Sequence, residues 1–333
     1  MLNADLTAGA SLQDHASIGR AATLPINGAT VVVSVSPIVL PIAGRPVDLQ
    51  MRVSAPLTGD NLPVILLSHG QGFSYHLSSL NGYGPLAHFW AAHGFVVVQP
   101  THLSSKTLRL DADTPGGPFF WRERVEDMSR IIDRLDLVEA SIPGLAGRLD
   151  PSRIAVAGHS MGGHTAGMLL GARLVDPHDG QQVDLIDRRI KAGVLLAAPG
   201  DGGDSLNAFA TETLPFFREP SFAEMTTPAL VVVGDKDASK YLCVRGPAWH
   251  ADPYRLSTGA KSLLTLYGGE HILGGVSGYD AAETTDESPE RVAAIQRMTW
   301  AYLRSTLYPG DPAWAASCAV LAEIGTIGAV ESK

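Results

Sequence analysis

The residues best suited to chemistry in this chain gather around one serine. Gly158-His159-Ser160-Met161-Gly162-Gly163 follows the apolar run Arg153–Ala157 and precedes an Ala/Leu-rich stretch. Ser160 therefore sits where a strand turns sharply into a helix, the context that gives a G-x-S-x-G pattern its meaning. Such a turn strains the serine and brings neighbouring segments so close that side chains at 158 and 162 would clash. It lifts the hydroxyl to the crest of a sheet and sets the first N–H groups of the helix beside it, where they can stabilise negative charge. With 35 glycines in the chain, chance matches to the bare pattern are common, so the strand before and the helix after make Ser160 the candidate nucleophile.

A serine hydroxyl attacks only when a base takes its proton and a third group orients that base. The order expected with this turn is Ser, then Asp or Glu, then His. Four histidines follow Ser160. His164 lies one helical turn on and points along the helix, packed or exposed. His178 sits in the polar Asp176-Pro177-His178-Asp179-Gly180, which reads as a solvent loop. His250 follows Trp249 in a helix-like segment from which it could line a pocket. His271 comes directly after the last apolar run, in the glycine-flanked loop Tyr267–Gly275, the right place for a mobile base. The acid is expected from Pro228–Asp237, a buried strand ending in Gly234-Asp235-Lys236-Asp237. Asp235 reads as structural and Asp237 as the partner of His271. Asp235 itself, and Asp201 or Asp204 after the preceding strand, stay open as alternatives.

Val64–Ser68 breaks into His69-Gly70-Gln71-Gly72-Phe73. The loop after the third strand supplies a second N–H to complement that of the residue after the nucleophile. Met161 and Gln71 are the expected oxyanion donors, with Gly72 as the alternative to Gln71. His69, just ahead of the loop, is expected to brace it by hydrogen bonding.

The elements that must hold these groups form a rhythm. Thr30–Ser36 and Val47–Ser54 are β-rich. Short apolar runs follow at Val64–Ser68, Phe95–Gln99, Ile154–Ala157, Gly193–Ala197, Leu230–Val233 and Leu263–Leu266. Continuous Val/Ile/Leu runs suit strands buried on both faces of a parallel sheet. Helical patterns intervene at Leu80–Ala92, Arg122–Ala140, Met161–Leu174 and Pro289–Leu307. Alternating strands and helices argue for a doubly wound α/β sheet, whose ligand crevice lies beyond the carboxyl ends of the strands.

The loop Ser68–Phe73, the stretch Leu86-Ala-His-Phe-Trp-Ala-Ala-His-Gly-Phe-Val-Val-Val-Gln-Pro100-Thr-His102 and the segment Arg148–Ala166 around the serine resemble one branch of the α/β hydrolases. It holds chlorophyllases, platelet-activating-factor acetylhydrolases and dienelactone-hydrolase-like enzymes. The likeness spans roughly residues 60–170, with local matches at the acid and base. It implies an α/β-hydrolase fold: a mostly parallel, eight-stranded, doubly wound sheet with helices on both faces and a minimal lid. It also implies hydrolysis of a small or lipophilic ester, a small-molecule substrate, without metal or organic cofactor. Dienelactone hydrolases carry Cys where this chain has Ser160, which argues against cyclic-lactone chemistry of their kind. Fold alone does not fix function. An acyltransferase or perhydrolase using the same acyl-enzyme, and a non-catalytic binding protein, remain alternatives.

Substrate-shaping residues are expected in the loops after the strands: Gly72 and Phe73, Phe119, Phe120 and Trp121, Phe216 and Phe217, and Trp249. These aromatics either form an apolar acyl or alcohol pocket or cap the core. The excursion from Gly200 to Thr227 is the expected lid, and Val175–Arg188 a polar surface insertion. The domain plan is an N-terminal extension at 1–22, partly disordered, a catalytic domain at 23–309 and a C-terminal extension at 310–333. A net charge of −9 with no dense basic cluster argues against nucleic acid as a partner. No apolar stretch is long enough to span a bilayer. The first twenty residues lack the pattern of a secretory signal, which makes a cytoplasmic location the default unless a leader was removed. No His/Cys/Asp/Glu cluster has metal-ligand spacing along the sequence. Cys243 and Cys318 leave one disulfide or two thiols open.

Overall fold

Alternation of side chains along β-strands explains the centre of the molecule. In the computed structural model, which describes residues 16–279 and 281–333, Val64 and Leu66 enter one apolar core while Ile65 and Leu67 enter another. Val231 and Val233 divide from Leu230 and Val232 in the same way. A strand apolar at every position is thus covered on both faces.

In chain order the strands are β1 (Val32–Leu40), β2 (Leu49–Pro56), β3 (Leu62–Ser68), β4 (Val96–Thr101), β5 (Leu149–His159), β6 (Arg173–Val175), β7 (Gln182–Asp184), β8 (Ile190–Leu196), β9 (Pro220–Ser221), β10 (Ala229–Gly234), β11 (Lys261–Leu266) and β12 (Gly328–Ser332). The α-helices are α1 (Gly84–Ala92), α2 (Trp121–Asp133), α3 (Leu135–Ser141), α4 (Met161–Leu169), α5 (Ala208–Thr213), α6 (Asp252–Arg255), α7 (Pro289–Leu307) and α8 (Ala313–Ile324). The central sheet runs β1-β2-β4-β3-β5-β8-β10-β11-β12. From β4 to β11 its strands are parallel, whereas β1, β2 and β12 join antiparallel to their neighbours. Side chains of α2, α3 and α4 fill one core, and those of α1, α7 and α8 the other. The chain is therefore a mixed α/β protein built on a large, mostly parallel sheet.

Three expectations change here. The sheet has nine strands, not eight, because the segment 310–333 is no appendage: α8 packs on α7 and β12 pairs with β11. β12 left little trace in the sequence because a five-residue edge strand keeps most of its side chains in solvent. The helical pattern over 122–140 is split at Arg134 into α2 and α3, and the helix after Ser160 ends at Leu169, ahead of the positive-φ Gly171. The excursion at 200–227 is tied down rather than draped over a site, since its β9 pairs with β6 in a small β7-β6-β9 sheet.

At the amino end, 3₁₀ turns over Ala16–Thr23 lie against α7, where Arg20 N–H donates to Glu290 and Arg297 donates to the Leu24 carbonyl. Residues 1–15 of the expected N-terminal extension fall outside the described residues. No helix among the described residues is long and apolar enough to cross a membrane. Cys243, buried, and Cys318, half-buried, are both free thiols.

Candidate active site

Ser160 stands between β5 and α4 with φ 54° and ψ −118°, a backbone conformation rare for a side-chain-bearing residue. The glycines around it are required by contact. A Cβ on Gly158 would lie 2.0 Å from the Gly162 carbonyl oxygen, and one on Gly162 would lie 2.0 Å from that of Ser68. The second contact matters twice, because it presses the start of α4 against the end of β3. Met161 and the loop after Ser68 thereby become neighbours.

His271 Nε2 lies 2.9 Å from Ser160 Oγ, and His271 Nδ1 lies 2.7 Å from Asp237 Oδ2. Burial of Asp237 works to raise its pKa, but hydrogen bonds from His250 and His271 outweigh it and hold the carboxyl well below the usual carboxylate range. An ionised carboxylate only accepts, so His271 donates from Nδ1 and presents the Nε2 lone pair to the serine hydroxyl. The two aspartates of the turn after β10 divide their roles. Asp235 accepts the Gly268 N–H at 2.7 Å and so pins the loop that carries His271, while Asp237 faces the imidazole. Gly234 allows these loops to cross, since a Cβ there would lie 2.1 Å from the Gly269 carbonyl oxygen.

The remaining histidines and aspartates sort clearly. His178 is exposed, and His164 packs against the edges of Phe216 and Phe217. The Asp201 carboxylate accepts from Gly202 N–H, and Asp204 lies in the 3₁₀ turn Gly203–Ser205, so neither joins His271. His250 is fully buried against Asp237, with Nε2 3.0 Å from Oδ2. It does not line a pocket. Ser239, which no motif flagged, donates to Asp237 Oδ1 at 2.7 Å.

The loop after β3 rests on a buried polar network. Arg124, fully buried, reaches Ser104 Oγ, Thr165 Oγ1, Ser68 Oγ and the His69 carbonyl. Burial pulls its pKa down to about 9, which leaves it charged at neutral pH. Ser68, His102 and Asp127 form a second Ser–His–Asp chain at 2.9 and 3.1 Å. All three are wholly buried, so this chain braces structure and has no access to a substrate. His69 braces the loop as expected: Nδ1 donates to the Gly70 carbonyl and Nε2 accepts the His102 N–H. The Gln71 side chain donates to the Ser104 carbonyl. Among the described residues no acceptor is paired with the backbone N–H of Gln71 or Met161, which leaves both available as donors.

A further link joins this loop to the His271 loop. His159 Nε2 donates to the His271 carbonyl at 2.7 Å. Burial first, and the neighbouring His271 next, lower the His159 pKa to about 3, so its ring is neutral and Nδ1 must accept. It accepts from Tyr83 Oη at 2.8 Å, and that oxygen in turn accepts the Gly70 N–H at 3.0 Å. The position of His159 beside Ser160, at the end of a buried strand, was the available signal, because a buried histidine needs partners.

A cavity of about 650 Å³ opens beside the hydrogen-bonded chain, between loops carrying Gln71–Phe73 and Leu77, Lys236–Tyr241, Glu270–Ile272, and Glu283 and Thr285. Phe73 and Tyr241 stand 66% and 53% exposed at its walls. Glu283 clamps one wall by accepting from Ser74 N–H and Oγ–H at 2.7 and 2.8 Å. Of the expected substrate-shaping residues, Gly72 and Phe73 line this cavity and the others do not. Trp121 stacks on Phe216, Phe119 meets that ring at a tilt, and Phe216 packs on Phe217. Phe120, Phe216, Phe217 and Trp249 are buried, and the Trp249 indole donates to the Asp201 carbonyl. Their apolar area is satisfied by the core, the reading that left them without a substrate role.

Asp237, His250 and His271 also form the one set among the described residues that could hold a metal ion. Sequence spacing hid this set, since the fold brings the three together. Their donor atoms are 2.7 and 3.0 Å apart. That is hydrogen-bond distance, shorter than the roughly 3.3 Å between ligand atoms around a tetrahedral zinc with bonds of about 2.0–2.1 Å. The spacing fits shared protons better than a cation. The chain matches no protein-family profile and no curated protein sequence.

Proposed function

We propose that this chain is a serine carboxylic-ester hydrolase of the α/β-hydrolase fold, acting through an acyl-enzyme on a small or lipophilic ester. The observation that carries the reading is the chain Ser160–His271–Asp237, at 2.9 and 2.7 Å, hung on a strained turn between strand and helix. His271 removes the hydroxyl proton as Ser160 Oγ attacks the ester carbonyl. The N–H groups of Met161 and Gln71 receive the oxyanion, and Asp237 holds the His271 tautomer and stabilises its protonated form. His271 then gives the proton to the leaving alcohol, and water repeats the sequence to release the acid. The scheme calls for no metal or organic cofactor.

The cavity of about 650 Å³ beside His271 and Gln71 falls within the size range of small-molecule sites. The test is hydrolysis of p-nitrophenyl esters from acetate to palmitate by wild type and Ser160→Ala. Turnover that vanishes in the variant supports the reading, and the preferred chain length sizes the cavity. A folded wild type that turns over none of these esters, or a Ser160→Ala protein as active as wild type, refutes it. Added alcohol or peroxide acceptors diverting the acyl group would reassign the chain to acyl transfer or perhydrolysis.

A further inference from the structure

The loop that carries His271 is laid along one side chain that no motif flagged. Arg291 sits in the first turn of α7, where a helix favours acidic groups over cations. Its backbone N–H donates to Ser288 Oγ, and its side chain, mostly buried, runs along Tyr267–Gly275. A Cβ on Gly268 would lie 3.1 Å from Arg291 Nη2, one on Gly269 3.4 Å from Cδ, and one on Gly274 3.2 Å from Cβ. Three of the loop's four glycines thus border this arginine. The guanidinium donates along two edges. Nε and Nη2 both reach the Tyr267 carbonyl at 3.3 Å, where the loop begins. Nη1 donates to the Asp286 carbonyl and to Asp286 Oδ2, each at 2.9 Å. Asp286 Oδ2 also accepts the Glu270 N–H at 2.8 Å, one residue ahead of the base. Every donor in this set is an N–H and every acceptor a carbonyl or carboxylate, so the direction of each bond is fixed.

We propose that Arg291 is a positioning residue for the base. Its planar fork holds Tyr267 directly and Glu270 through Asp286, and so keeps His271 Nε2 aimed at Ser160 Oγ. Arg291 touches neither substrate nor reacting atoms. The inference rests on the esterase reading for its kinetic consequence but not for the hold on the His271 ring. Two further ties act on the same loop, Asp235 on the Gly268 N–H and His159 on the His271 carbonyl. Losing the fork therefore loosens the base without unfolding the site. A lysine keeps the charge, but one ammonium cannot reproduce both edges of a guanidinium. Misplacing a reacting group by about 1 Å can cost about 10²-fold in rate.

The test combines two readouts on the full chain. In ¹H–¹³C NMR the His271 ring signal, assigned by its loss in His271→Gln, should be sharp in wild type. In Arg291→Lys it should show exchange broadening on the μs–ms timescale, while the exposed His178 signal stays unchanged. On p-nitrophenyl acetate, kcat of Arg291→Lys should fall about 10–100-fold with KM within about twofold. Asp286→Asn keeps an acceptor for the Glu270 N–H and removes the ion pair, so it should show the same two changes at smaller size. It decides on the same criteria if Arg291→Lys does not fold. A His271 signal already broadened in wild type overturns the proposal. So does a folded variant that loses stability while its His271 signal and kcat match wild type. If wild type turns over no ester, the esterase reading falls while the His271 signal still decides whether Arg291 holds the ring.

Discussion

Tyr83→Phe removes one oxygen atom and should disturb both loops of the site. Tyr83 is 1% exposed, and its hydroxyl accepts the Gly70 N–H and donates to His159 Nδ1. The variant leaves two buried groups without partners. His159 cannot change tautomer in response, because Nε2 must keep its proton for the His271 carbonyl. Nor can it take up a second proton readily, since burial holds its pKa near 3. An orphaned buried donor or acceptor costs about 1–3 kcal/mol, so with two of them the variant should lose about 2–6 kcal/mol of stability. In denaturant unfolding the midpoint should fall with the slope unchanged. Because Gly70 precedes the expected donor Gln71 and the His271 carbonyl is the far anchor, kcat on a reactive ester should drop roughly 10–100-fold while KM stays near wild type. A Tyr83→Phe protein within about 0.5 kcal/mol of wild type, with an unchanged kcat, would refute this account of how the loops are held.

Two further outcomes follow from the same contacts. His159 and His164 are buried with pKa values lowered to about 3, chiefly by desolvation, below the ordinary 6.5 expected when unfolded. The unfolded chain then binds more protons between about pH 6.5 and 3, so the stabilisation present above pH 6.5 is lost on acidification through that window. By pH 5 each histidine accounts for about 2 kcal/mol, together a large part of a typical 5–15 kcal/mol. Thermal unfolding at pH 7, 6 and 5 should show a steep fall, and a flat profile would contradict the assignment. Phe73→Ala with Tyr241→Ala strips the exposed aromatic walls of the cavity. KM for long-chain or aromatic esters should rise roughly tenfold while acetate turnover stays within about twofold, on the transfer energy of the lost rings. An equal effect on all chain lengths would place the substrate elsewhere.

What the sequence disclosed followed the strength of local constraint. The turn at Ser160 was legible because its glycines answer to backbone contacts of 2.0 Å, and such contacts leave a fixed spacing in the chain. The pairing of His271 with Asp237 was legible for a related reason: both sit just past buried apolar strands whose ends are marked by glycine. β12 was not legible, because an edge strand five residues long carries no apolar run. The aromatic residues misled, because Phe216, Phe217 and Trp249 lie in loops by sequence yet bury themselves in the core, as large apolar side chains do. Tyr83 meets His159, Asp127 meets His102 and His250 meets the Ala198 carbonyl only through the fold. No spacing rule reaches them.

The central claim is that Ser160 is a nucleophile activated by His271. It is tested most directly by labelling the folded protein with a fluorophosphonate and locating the adduct by peptide mass spectrometry. One adduct is expected, on Ser160, absent from Ser160→Ala and formed at least 100-fold more slowly in His271→Gln. A protein that takes no label, or labels equally well without His271, would contradict it.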